Sequence, residues 1–403
     1  MQSEANPAGP LKGLRILDLA TLIAGPWAST LLADLGADVV KVELPDGRDA
    51  LRALPPHKDG VPLWWKVANR NKRGITLDVR KPEGRELLLR LLPSFDVLVE
   101  NFRSGTMDRW GLGKETLLAA QPKLTILRVT GFGQTGPYRA KPGFARVFEA
   151  MSGFTYLNGH ADGPPLNMGF PLADSVAGLF GALGIIAAAY HRLRHPETPG
   201  QEIDLSATEA IFRTLDFLPI EFDQLGVVRE RLGNLSAYSA PSNIYGTRDG
   251  KWLSMAVSAQ SVFERLCTAL GRPELVGDVR FTDNVARVRN RDALDAIVAS
   301  WIAARDLADA AAILARQEIS FSPVYTIRDV FDDPHFRERR MIEEVDDPDL
   351  GTVKMQCVVP RFSATPGAIR SPGPRVGEHN AQVYGALGLD TAACEALRAK
   401  GVI

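Results

Sequence analysis

The first 130 residues alternate between two hydrophobic periods, and no other feature constrains the fold as strongly. Short apolar runs of β-type composition recur at "GLRILDL" (13–19), "ADVVKVE" (37–43), "DVLVEN" (96–101) and "KLTILRVT" (123–130). Helical patterns fill the gaps. "WASTLLADLG" has Pro26 at its first turn and Gly36 at its stop, and "KPEGRELLLRLLPS" starts with Pro82. "KETLLAAQP" follows the third run. Strands that alternate with helices imply a mostly parallel sheet covered on both faces. The expected fold class is α/β with an open, mostly parallel sheet.

The pattern then changes. A long helix is expected from Asp174 to about Arg194, followed by the breaker-rich "HPETPGQ", a strand-like "EIDLS" and a helix through about Gln224. "NIYGTRDGKWLSMAV" reads as an antiparallel hairpin turned by "RDG". Helical patterns in "SVFERLCTALG", "RDALDAIVASWIAA" and "ADAAAILARQE" complete a smaller α+β segment. "SATPGAIRSPGPRVGEHN" is rich in proline and glycine and is expected to run over a surface. The division predicted is a disordered tail at 1–10, the first part of a large α/β domain at 11–200, a linker helix at 201–224, a small α+β domain at 225–325 and a closing segment at 326–403.

The formal net charge of −1 argues against a general polyanion binder, so no nucleic-acid partner is expected. Cys267, Cys357 and Cys394 lie far apart without metal or redox spacing, which favours a reducing compartment. The N-terminus lacks a basic start followed by an apolar core. The most apolar stretch, "SVAGLFGALGIIAAAY" (175–190), falls short of the ~20 residues that span a bilayer. It is expected as a buried, tightly packed helix, and the protein as cytoplasmic with no membrane partner.

Gly131-Phe-Gly133-Gln-Thr-Gly136 follows an apolar run with the spacing of a dinucleotide fingerprint. That fingerprint requires a helix opening inside it and an acid about 20 residues on. Here "PYRAKPGFARVF" interrupts any such helix, and Glu149 comes too early. A nicotinamide cofactor is therefore not expected. Walker A, GxSxG and HExxH motifs are absent. His191 and His195 share helical spacing with no acid to complete a ligand set, and are read as helix-end groups. No metal and no permanently bound cofactor are expected.

"GFPLADSVAGLFGALG" places Asp174 just before a helix of small residues. As an N-cap it would accept the free N–H groups of the first turn. The same geometry would hold an ionised carboxylate near its usual pKa of ~3.9 or below, ready to attack a carbonyl. Ala177, Gly178 and Gly181 would allow another element to approach closely. The residues alone leave both readings open.

Several blocks in order resemble family III CoA-transferases, the group of formyl-CoA transferase and carnitine CoA-transferase. They are "LKGLRILDLATLIAGPWASTLLADLGADVVKVELP", "NRNKRGITLDVRKPEGRELL", "DVLVENFRSGTMDRWGLG", "TGFGQTGPYRAKPGF", "LADSVAGLFGALGIIAA" and "GNLSAYSAPSNIYGTRDGKW". The resemblance implies a Rossmann-like large domain to which the C-terminal segment returns. It also implies a smaller domain and two ring-like subunits threaded as an interlocked homodimer. It makes Asp174 the catalytic residue and coenzyme A or an acyl-CoA the substrate, with a carboxylic acid as the second reactant. Ile23, Ala24, Leu77, Arg80, Asn101, Phe102, Arg103, Arg109 and Lys141 match CoA-contacting positions, and Arg suits forked phosphate contacts.

Departures narrow the reaction. Ile23 stands where formyl-CoA transferase has a substrate-contacting glutamine, and Phe144 where it has a tyrosine. No glycine run accompanies "SAYSAPSN". A larger or less polar acyl group, or a different dicarboxylic acid, is expected, with succinyl-CoA as donor because many relatives use it. The alternatives are an α-methylacyl-CoA racemase-like epimerase and a non-catalytic CoA-binding protein. A racemase needs a histidine where this chain has Phe144, within Gly143-Phe144-Ala145.

Overall fold

The computed structural model describes residues 9–403, so most of the expected N-terminal tail lies outside the described residues. Six strands form one sheet: β1 (Arg15–Asp18), β2 (Asp38–Glu43), β3 (Lys72–Thr76), β4 (Val97–Glu100), β5 (Thr125–Thr130) and β6 (Gln201–Ser206). Every pairing is parallel and the order is β3-β2-β1-β4-β5-β6. This is the strand order of doubly wound nucleotide-binding sheets, which reverses between β1 and β4.

Alternate residues of each strand enter different cores. Leu17, Val40, Ile75, Leu98 and Ile126 pack under α2 (Pro82–Leu91), α3 (Lys114–Ala120) and the C-terminal Val402 and Ile403. Ile16, Val39, Val97, Val99 and Leu127 pack against α1 (Ala24–Asp34) and the long α5 (Leu172–Arg194) on the opposite face. Both faces are covered, so the strands need continuous apolar runs rather than alternation.

Strand β3 lies in a stretch whose pattern pointed to no strand. It opens with Lys72-Arg73, yet Lys72 is buried with its Nζ 2.8 Å from Asp18 Oδ2 and 2.8 Å from the Pro26 carbonyl. Burial pulls this ammonium down to about 8 against the attraction of Asp18. A tertiary ion pair thus overrides the polar reading of the strand.

The chain divides into two compact units. The first contains residues up to Thr155, Asn167–Gly226 and Glu338–Ile403. Within it, the stretch after residue 200 begins with the edge strand β6, followed by α6 (Ala207–Arg213) and Leu218–Leu225. The proline- and glycine-rich segment near the C-terminus runs largely over the surface, as expected, and is tied to the sheet edge. The Pro374 carbonyl accepts from Trp65 Nε1 at 2.8 Å, and Asn380 bonds both the Thr76 N–H and hydroxyl.

The second unit comprises Tyr156–Leu166 and Val227–Arg337. Strands Ser242–Gly246 and Trp252–Ala256 form the expected hairpin, and Phe321–Pro323 adds a third antiparallel strand. Helices Gln260–Leu270, Arg291–Ala303 and Leu307–Arg316 cover them around Leu253, Phe263, Leu266, Leu294 and Leu314.

Helix α5 differs from its expected form. It has 23 residues and, by length and composition, is apolar enough to cross a membrane. Only one face is buried, through Ala177, Gly178, Gly181, Ile185 and Ala188 against the first unit's core. A Cβ on Gly178 would lie 2.5 Å from Trp27 Cδ1, which is how close α1 approaches. The opposite face carries exposed Leu179, Leu183, Ile186, Tyr190 and Leu193.

Candidate functional site

Ligands of doubly wound sheets bind outside the carboxyl ends of the strands where the order reverses. Here β1 runs into Leu19–Ile23 and β4 into Asn101–Ser104, side by side. The Asn101 side chain joins the two loops: Oδ1 accepts from Thr21 N–H at 2.8 Å and Nδ2 donates to the Thr21 carbonyl at 2.7 Å. Leu22 lies in the left-handed region at φ 60°, a conformation costly for a branched side chain. Its N–H donates to Asp49 Oδ1 at 3.2 Å, and buried Lys41 sits 3.7 Å from Asp49 Oδ2 while donating to the Ala20 carbonyl. Buried charges therefore hold the β1 loop. Glu100, pushed up to about 7 by burial, accepts from Phe102 N–H at 2.6 Å and anchors the β4 loop.

A cavity of about 210 Å³ opens on these loops. It brings together seven of the sequence-predicted residues, Ile23, Ala24, Asn101, Phe102, Arg103, Lys141 and Asp174. Gly131 of the glycine loop lines it as well, with Phe144, 72% exposed, and Phe148. A Cβ on Gly131 would fall 2.2 Å from Phe148 Cε1, so this glycine makes room for the aromatic ring. A second cavity of about 130 Å³ shares Thr21 and Phe102 with the first. Its wall is mostly apolar, from Leu19, Val42, Leu77, Val79 and Trp110, with Arg48 and Arg80 among its lining residues.

The cations are not equivalent. Arg80 forks onto Asp78, with Nε 2.7 Å from Oδ1 and Nη2 2.9 Å from Oδ2. Arg109 lines neither cavity, and its guanidinium bonds the Thr106 hydroxyl one turn away. Among the described residues, Arg103 and Lys141 pair with no carboxylate, and Lys141 Nζ stands 3.6 Å from the Tyr138 ring centre. Arg139 lines the same cavity, also without a carboxylate partner. Sequence reasoning missed Arg139, Arg48 and Thr21. The unpaired cations of "YRAK" were the only signal available for the first.

Asp174 is placed differently from its expected cap position. Helix α5 starts at Leu172 with Pro171 as N-cap, so Asp174 lies inside the first turn and caps nothing. Its half-buried carboxylate accepts no hydrogen bond from the described residues. The expectation of a low pKa is also overturned. Burial, with the Glu149 charge adding to it, raises Asp174 to about 6. Desolvation outweighs the helix dipole here because no N–H reaches the carboxylate. The N-termini of α1 and α5 both meet the cavity, through Ala24 and Asp174, and neither N-cap residue, Ile23 or Pro171, caps its helix with its side chain.

Such an arrangement can do nucleophilic chemistry: a carboxylate that titrates near 6 is largely ionised at neutral pH and is not quenched by donors. The positive ends of two helices favour negative charge developing beside it. No group of three metal-ligating side chains occurs among the described residues.

A family model described as CoA-transferase family III matches residues 11–380. The succinyl-CoA--D-citramalate CoA-transferase of Chloroflexus aurantiacus is 42% identical over 100% of both chains. The beta subunit of a succinyl-CoA--L-malate CoA-transferase from the same organism is 41% identical over 98% of both. Among solved structures, a CAIB/BAIF family protein from Brucella suis superposes with a TM-score of 0.84 at 35% identity, covering 94% of this chain and 100% of that one.

Proposed function

The chain belongs to CoA-transferase family III, and from that premise we propose that it moves CoA from succinyl-CoA to a small dicarboxylic acid through covalent intermediates on Asp174. CoA transfer as such follows from the family. The observation that carries the finer reading is the half-buried Asp174 carboxylate, without a hydrogen bond from the described residues and raised to about 6, at the switch-point cavity.

The steps balance without any other reagent. The Asp174 carboxylate adds to the thioester carbonyl and expels CoA thiolate, leaving a mixed anhydride. The thiolate attacks the Asp174 carbonyl, which gives an aspartyl-CoA thioester and releases succinate. The acceptor carboxylate attacks that thioester, forming a second anhydride and thiolate. Thiolate attack on the acceptor's acyl carbon then regenerates Asp174 and yields the new acyl-CoA. Each addition puts negative charge on a carbonyl oxygen, which the two helix N-termini would favour.

In this reading the apolar cavity beside β2 and β3 takes the adenine end of CoA, between Leu77, Val79 and Phe102, with Arg80 and Arg48 near its phosphates. Arg103 and Lys141 serve the phosphates on the Asp174 side, while Asn101 shapes the loop that both cavities share. Arg109 contributes only if it turns away from Thr106. The relatives' names point to acceptors with a four-carbon backbone, two carboxylates and a 2-hydroxyl group. Phe144 cannot move a proton, which disfavours epimerisation, and the unquenched Asp174 disfavours a non-catalytic binder.

The exposed stripe Leu179, Leu183, Ile186, Tyr190 and Leu193 repeats at four- and three-residue steps along α5. A contiguous apolar face of this kind marks an interface. We assign it to a second copy of the chain, in keeping with the homodimer expected for the family.

The test is a matrix of donors and acceptors. Succinyl-CoA with D-citramalate, L-malate and their monocarboxylate analogues is incubated with the protein, and acyl-CoA products are separated by chromatography. New acyl-CoA from dicarboxylates is expected, with far less from monocarboxylates. Equal use of both classes, or product only from the monocarboxylates, would overturn the acceptor assignment.

A further inference from the structure

Glu149 is fully buried on α4 (Ala145–Met151), which packs against α5. Its Oε1 accepts from the N–H of Ala173, in the first turn of α5, at 3.1 Å. Its Oε2 is enclosed and has no partner among the described residues. A buried carboxylate oxygen without a donor is costly, and a glutamine could make the same single bond without a charge. The position therefore asks for a reason to keep the acid.

We infer that Glu149 is a positioning residue for the reacting carboxylate: it grips the first turn of α5 through Ala173 and sets a second carboxylate against Asp174. The inference rests on the reading of Asp174 as the reacting group. Two carboxylates at one helix end repel, so Asp174 holds its proton more readily with the Glu149 charge beside it. A more basic carboxylate is a stronger nucleophile once ionised, and near neutral pH it is ionised most of the time. Of the charged groups nearest this turn, Arg146, Glu209 and Arg213 are exposed on the packed helices, and Arg103, Arg139 and Lys141 lie around the cavity. Beside burial, the Glu149 charge is what raises Asp174. Glu100 titrates near 7 behind Phe102, so the informative quantity is the displacement between variants rather than an absolute midpoint.

Glu149→Gln keeps an acceptor for the Ala173 N–H and removes the charge, while Glu149→Met removes both. Two readouts are needed. The first is the acid limb of kcat/KM with succinyl-CoA and a dicarboxylate: in both variants it should move to lower pH, so that activity at pH 5, as a share of its own plateau, rises severalfold. The second needs no catalysis. The difference in Tm between Asp174→Asn and its parent is followed from pH 4 to pH 8, in the wild-type and Glu149→Gln backgrounds. It should be smaller, and level off at lower pH, when Glu149 is gone.

Superimposable acid limbs together with superimposable Tm differences would overturn the inference. So would failure of both variants to fold, because Glu149 would then belong to the core alone. If no transfer is seen but the Tm difference moves, the Glu149–Asp174 coupling stands and the proposed reaction falls.

Discussion

At the residue scale, Asp174 joins burial, charge and stability in one side chain. Its carboxyl sits at about 6 in the folded protein against an ordinary 3.8 in the unfolded chain. The folded state therefore holds this proton more tightly between those values, and stability falls as pH rises through that window. Above pH 7 the ionised group is a burden on the order of 1–3 kcal/mol. Asp174→Asn should accordingly be more stable than the parent at pH 8, by up to that amount, and equal to it below pH 4. Urea denaturation at several pH values measures this, and equal stability at both extremes would contradict the raised pKa. The same substitution should abolish transfer, which places stability and activity in opposition at one residue.

At the scale of elements, the tight crossing of α1 and α5 presents Asp174 to the cavity. Gly178 leaves no room for a side chain next to Trp27. Gly178→Val should cost about 1–3 kcal/mol by overpacking and lower turnover as the first turn of α5 shifts. Unchanged urea midpoint and kcat would show the crossing to be pliable. Much of this level was legible in the sequence: α1, α2, β1, β2, β4 and β5 follow from periodicity, and "LADSVAG" signalled a close helix contact. Strand β3 was not legible, because Lys72 is satisfied by Asp18, 54 residues away in the chain. Nor was the state of Asp174 legible. A pattern shows that an acid begins a helix, but Pro171 as N-cap and Glu149 as neighbour are facts of three dimensions. The arginines show the same limit. Arg80, Arg103 and Arg109 look alike in sequence, and only the fold pairs Arg80 with Asp78 and leaves Arg109 outside both cavities.

At the scale of the whole molecule, the family's sheet order explains why two cavities meet at one wall. Reversal between β1 and β4 opens a crevice, and the apolar slot beside it continues across β2 and β3. A long, thin substrate with a nucleotide at one end and a thioester at the other suits that shape. The exposed face of α5 adds a demand the single chain does not meet. Light scattering should give the mass of two chains for the wild type, and Leu183→Glu should lose that assembly or its solubility. A wild-type protein that scatters as one chain would remove the dimer from the account.

Covalent transfer requires that Asp174 become acylated. Incubating the protein with succinyl-CoA and hydroxylamine, without an acceptor acid, and mapping the peptides by mass spectrometry asks this directly. The expected result is a hydroxamate on Asp174, dependent on succinyl-CoA and missing from the untreated protein. A protein that turns over succinyl-CoA and acceptor at full rate while Asp174 is never modified, or that keeps transfer after Asp174→Ala, would contradict it.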